Sequence, residues 1–111
     1  MLNIKYIEEF KAGHPYLVVT SDKQGFIDAY NFFRNKPGGF LNDKSITGRT
    51  DLGALRSNSL YLTPEECVEI ADHFKNVVAS EKPQHAYFDT KALPDIEIII
   101  SYREYDDLFQ M

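Results

Sequence analysis

The side chains able to carry acid–base or nucleophilic chemistry near neutral pH are few: His14, His73, His85 and Cys67. His14 adjoins Pro15 in a turn, His73 follows Asp72 and stands four residues after Glu69, and His85 begins a short strand-like run. A metal site built on His85 and Asp89 would need a distant third ligand that no local spacing announces. Cys67 lies in the first turn of a predicted helix, where a thiolate would be favoured. Its place on the apolar stripe and its neighbours Glu65, Glu66 and Glu69 favour a packing role instead. Lys36-Pro37-Gly38-Gly39 has two glycines but none of the further Gly, Lys or Ser/Thr positions that a phosphate loop requires. Gly48-Arg49-Thr50-Asp51, with Arg56, could hold an anion, or the arginine and aspartate could pair locally. No catalytic, metal or cofactor residue is therefore assigned, and an enzyme is not expected.

The carboxylates offer a different chemistry. Residues 1–57 carry a formal charge of +2 and residues 58–111 one of −7, so the net −5 is concentrated in the second half. Such a surface repels phosphate backbones and attracts basic proteins, although acidity also serves solubility alone. Glu65, Glu69 and Asp72 fall on one helix face, and Asp106 and Asp107 stand beside Tyr102 and Tyr105. Charge steers an encounter and Tyr supplies contact area, so these seven residues form the expected partner-binding set; a solvated face is the alternative.

Positioning these groups requires a fold, and 111 residues with 43% hydrophobic content close one core. Eight Phe, seven Tyr and no Trp mean that rings fill much of it. The opening Leu2, Ile4 and Tyr6 alternate, but Ile7 and Phe10 follow at helical spacing, leaving strand and helix both open. Tyr16 to Thr20 is a β-branched strand. Ser21 or Asp22 caps a helix running to about Asn35, with Phe26, Ala29, Tyr30 and Phe33 on one stripe and Pro37-Gly38-Gly39 ending it. Residues 37–58 read as a long loop. Ser59 to Leu62 is a second strand, and Thr63-Pro64-Glu65-Glu66 combines an N-cap, a proline at the first helical position and a capping box. Cys67, Ile70, Ala71, Phe74, Val77 and Val78 then form a core stripe up to the break at Glu81-Lys82-Pro83. Ala86 to Phe88 and Asp95 to Ser101 add two strands, and residues 102–109 extend the last strand or form a helical turn. The sum is one α+β domain over residues 1–111: a mixed or antiparallel sheet of about four strands with two main helices packed on it. The apolar run Ile98 to Ile100 is too short to cross a bilayer, and the first nine residues lack a secretory pattern, so a cytoplasmic protein is expected.

The size, the acidity, the lack of catalytic groups and the segment Leu55-Arg56-Ser57-Asn58-Ser59-Leu60-Tyr61-Leu62-Thr63-Pro64-Glu65-Glu66-Cys67 resemble small bacterial immunity proteins of contact-dependent growth inhibition systems. The resemblance implies a cytoplasmic protein that binds and blocks a cognate toxin domain, often a basic nuclease, by occluding its active site; the negative charge and the short apolar runs separately lead to the expectation of no direct contact with nucleic acid or membrane. It carries no site residue over. The rival is a small-ligand-binding protein or enzyme with a site under the 37–58 loop, using Arg49, Asp51, Arg56 and His85.

Apolar residues in that loop, Phe40, Leu41 and Leu52, are expected to order it, so limited proteolysis of the native protein should spare the chain between Gly38 and Arg49. Cys67→Ala should lower the unfolding midpoint modestly while leaving binding intact, as denaturant titration and a binding assay on the same preparation would report.

Overall fold

The computed structural model describes residues 1–11, 13–53 and 60–104. Alternation decides the opening segment. Leu2 and Ile4 point into the core, Asn3 and Lys5 lie half-buried on the opposite face, and β1 runs as a strand over Leu2–Lys11. It turns through Gly13, whose φ of 75° suits a residue without a Cβ, into β2 at His14–Thr20, with a register shift between Ile7 and Lys11.

Asp22 caps α1 (Lys23–Phe33): its carboxylate accepts from the Gly25 amide at 2.7 Å. Ser21, the other candidate cap, instead donates to the Met1 carbonyl at 3.0 Å and ties the chain start to the helix. Gly25 permits that approach, since a Cβ there would collide with Ser21 Oγ.

The loop expected over residues 37–58 contains two short strands, β3 (Gly39–Phe40) and β4 (Thr47–Asp51). Leu41 and Ile46 anchor it in the core and Leu52 is half-buried, but Phe40 is 45% exposed, contrary to the expected packing. The strand expected at Ser59 to Leu62 shortens to β5 (Tyr61–Leu62) and pairs with β3 in a separate two-stranded ribbon. It is followed by α2 (Pro64–Val77), β6 (Gln84–Phe88) and β7 (Glu97–Tyr102).

Among the described residues the main sheet has five strands, one more than expected, in the order β4-β1-β2-β7-β6. β1 is antiparallel to β2 and β6 to β7, whereas β4 runs parallel to β1 and β7 parallel to β2. The sheet is therefore mixed. Both helices lie on one of its faces: Phe26, Ala29 and Phe33 of α1 and Cys67, Ile70, Ala71, Phe74 and Val77 of α2 meet Leu2, Ile4, Leu17, Val19, Ile98 and Ile100. Rings join the two layers. Phe26 stacks on Phe74 at 5.7 Å and meets Tyr102 edge to face at 6.3 Å, and Phe33 lies 6.1 Å from Phe74. On the opposite face, cross-strand register aligns Lys5, Val18, Ile99 and Tyr87 in one row, of which Val18 and Ile99 are fully buried. Among the described residues, no helix is long and apolar enough to cross a membrane.

The α2 capping box forms as its residues require. Thr63 Oγ1 accepts from the Glu66 amide at 3.2 Å, and Glu66 Oε1 accepts from the Thr63 amide at 2.9 Å. The second oxygen of Glu66 takes the Lys91 amide at 3.0 Å, so one carboxylate fixes the helix start and the β6–β7 connection together. Burial pushes the Glu66 carboxyl up, but the bonds from Thr63, Thr90 and Lys91 outweigh it and hold the group below its ordinary value of 4.5.

Glu66→Gln keeps the shape but replaces an acceptor oxygen with a donor facing an amide. It should cost about 1–3 kcal/mol at neutral pH, measured by denaturant unfolding. Because the folded-state pKa lies below the unfolded one, this stabilisation is fully present above about pH 4.5 and fades as pH falls through the folded value. The wild-type and variant stabilities should converge in acid.

Candidate protein-binding surface

The helix that Glu66 fixes presents its other side to solvent. Glu65, Val68, Glu69 and Asp72 follow i, i+3, i+4 and i+7 spacing, and all are exposed, Val68 to 51%. The same geometry that turns Cys67, Ile70, Ala71 and Phe74 inward turns these four outward. Glu65 in the first turn also complements the positive helix end. Glu69 reaches His73 Nε2 at 3.9 Å, and Glu65 and Asp72 have no ion-pair partner among the described residues. The nearest cation on the helix, Lys75, lies over the Tyr30 ring at 5.6 Å and so leans toward α1. His73, on the opposite flank, meets the Phe88 ring edge to face at 6.0 Å, which sets that flank of α2 beside β6.

An aromatic pair stands at the N-terminal end of this helix. Phe40 and Tyr61, 45% and 48% exposed, meet edge to face at 5.4 Å across the β3–β5 ribbon. Tyr61 lies over Gly38, whose φ of 140° and missing side chain leave room for the phenol. Phe40, expected to pack, and Tyr61, expected only as part of a strand, are both exposed. The available signal was the alternation of Leu60, Tyr61 and Leu62, which sends the middle residue outward once its neighbours are buried.

The tail half of the expected binding set fares differently. Tyr102 is a correction: it continues the inward alternation of Ile98 and Ile100, and its ring is 3% exposed against Phe26, so it supplies no contact area. Tyr105, Asp106 and Asp107 lie outside the described residues. Of the seven, Glu65, Glu69 and Asp72 share one exposed face.

The residues of the rival site do not converge. Arg49 and Asp51 lie on β4 at one margin of the sheet and His85 on β6 at the other, four inter-strand steps or about 19 Å apart. Arg56 lies outside the described residues. His85 Nδ1 meets Glu104 at 2.9 Å. Cys67 is buried with Sγ directed at the Leu62 carbonyl, and burial, reinforced by the Glu66 carboxylate, pushes its thiol up, away from nucleophilic reactivity. His14 is exposed in the β1–β2 turn region. Among the described residues, no three His, Cys, Asp or Glu side chains gather as a metal site.

A cleft of about 570 Å³ opens where β2 and β7 end and α1 begins, lined by Ser21, Lys23, Gln24, Glu81 and Arg103 among others. Its cations are already engaged: Lys23 Nζ meets Glu81 at 2.9 Å and Arg103 donates to the Glu81 carbonyl at 2.7 Å. The Asp22 carboxylate already occupies the Gly25 amide at the start of α1. A smaller pocket of about 280 Å³ contains Asp89, Asp95 and Glu97, where burial and then the neighbouring Asp89 carboxylate push Glu97 up.

Compared with protein-family models, curated proteins and solved structures, the chain matches none.

Proposed function

We propose that the chain is a protein-binding module that engages a basic partner through the exposed face of α2, and that the partner is a toxin domain whose activity it blocks. One observation carries the reading: Glu65, Glu69 and Asp72 lie together around the half-exposed Val68, and two of the three carboxylates lack a neutralising partner among the described residues. Unpaired surface carboxylates extend a field that draws a basic protein in, and an apolar residue among them gives the encounter something to bury. Phe40 and Tyr61 at the end of the same helix add aromatic area of the kind that anchors interfaces. The immunity role rests on the resemblance of the sequence, and an adjacent reading frame ending in a toxin domain would support it.

The test begins with capture of the partner by pull-down and mass spectrometry, followed by kinetics at two ionic strengths. Reversing Glu69 and Asp72 to Lys should slow association about tenfold and flatten its salt dependence. Reversing Glu8 and Glu9, exposed on β1, is the control and should change little. Salt-independent affinity, or greater damage from the Glu8/Glu9 variant, would remove α2 as the binding face.

A further inference from the structure

Among the described residues, β6 pairs only with β7, so its outer side presents free backbone amides and carbonyls. Natural sheets usually protect such a margin with charges, prolines or bulges. β4, at the other side, carries Arg49 and Asp51, and its pairing with β1 shifts register between Leu2 and Asn3. β6 has none of these devices: Gln84-His85-Ala86-Tyr87-Phe88 contains no charge and no proline, and it pairs with β7 in unbroken register from Gln84 to Phe88. The five residues span about 17 Å, enough for a strand of similar length to add alongside.

The surroundings of this margin are acidic. On the helix side, the contact of His73 with Phe88 places the Glu69-bearing flank of α2 beside β6. On the open side, Glu104 meets His85, and Asp89 is exposed just beyond the strand. Tyr87, 46% exposed on the open face, lies 5.4 Å from His85 and 6.5 Å from Tyr16. Lys82 and Lys91 lie outside the strand at either end.

We infer that β6 is a docking margin for an extended basic segment of a partner protein, which adds as a sixth strand with its basic side chains on the open face, toward Glu104 and Asp89. The inference rests on the proposed protein-binding role and gives it a recognition mode: backbone hydrogen bonds hold the segment and alternate side chains read charge. A second copy of this chain is a poorer occupant, because each copy carries a net charge of −5.

The probe is a synthetic ten-residue peptide of alternating lysine and valine, compared with the same peptide N-methylated at alternate amides and with an alternating glutamate and valine peptide. Amide shifts and hydrogen exchange are read by NMR on the full chain. Binding of the lysine peptide should slow exchange at outward-facing amides of β6. N-methylation should weaken binding at least tenfold, and the glutamate peptide should not bind. Tyr87→Lys, which places a positive charge on the open face of β6 without touching the core, should weaken the lysine peptide by a similar factor. Shifts confined to the exposed face of α2 and insensitive to N-methylation would overturn the docking mode while leaving the protein-binding reading intact. Absence of any lysine-peptide binding, or a chain that self-associates through β6, would overturn the inference as well. Failure of the broader reading is separately visible as the absence of a captured basic partner.

Discussion

Parallel strands cannot be joined by a tight turn, and β2 and β7 lie side by side and parallel at the middle of the sheet. Every other placement follows from that pairing. The chain between them must leave the sheet, and it does so as two amphipathic helices on one face, while the strands that remain take the flanks. β1 is held to β2 by a hairpin and β6 to β7 by an antiparallel return. The central strands carry near-continuous burial from Leu17 to Ser21 and from Ile98 to Tyr102, because helices cover one face and side chains screen the other. A charge at Val18 or Ile99 would be as poorly tolerated as one in the main core, although neither residue belongs to that core.

The carboxylate of Glu66 makes the proposed binding surface a property of the fold. It bonds the helix start and the β6–β7 connection, fixing the helix against the sheet margin. The apolar stripe sets which side of α2 faces out, and the Glu66 bonds fix the end of the helix from which Glu65, Glu69 and Asp72 follow. The acidic residue that is buried thus positions the acidic residues that are not.

How much of this was legible depends on whether the signal was local. The start of α2 was readable because Thr63, Pro64 and Glu66 each satisfy backbone groups within one turn, and the core stripe followed from helical spacing. The second duty of Glu66, toward Lys91 and Thr90, was not, since it joins residues about 25 positions apart. β4 escaped notice because its residues are half or fully exposed, with no alternation to betray a strand; its partner, β1, supplies the order. The opening strand was ambiguous for the reverse reason, its helical spacing past Ile7 being incidental to a pairing on two sides. Tyr102 was legible and misread: the period of two through Ile98 and Ile100 pointed it inward, and its carboxylate neighbours in sequence suggested a surface role. The exposed Phe40–Tyr61 pair depends on a ribbon between segments about twenty residues apart, beyond the reach of any local pattern.

β7 pairs with β2 near the middle of the sheet, although the two strands lie far apart in sequence. Tyr16 pairs with Glu97 across roughly 80 residues, so a growing chain can form its hairpin and helices early but has nothing to close the core on until β7 emerges. Contacts of such sequence separation carry a loop-closure cost before they return any stabilisation, which slows folding relative to helical proteins of this size. Until then, the inward faces of β2 and of both helices remain open, and the nascent chain is most exposed to aggregation in that interval.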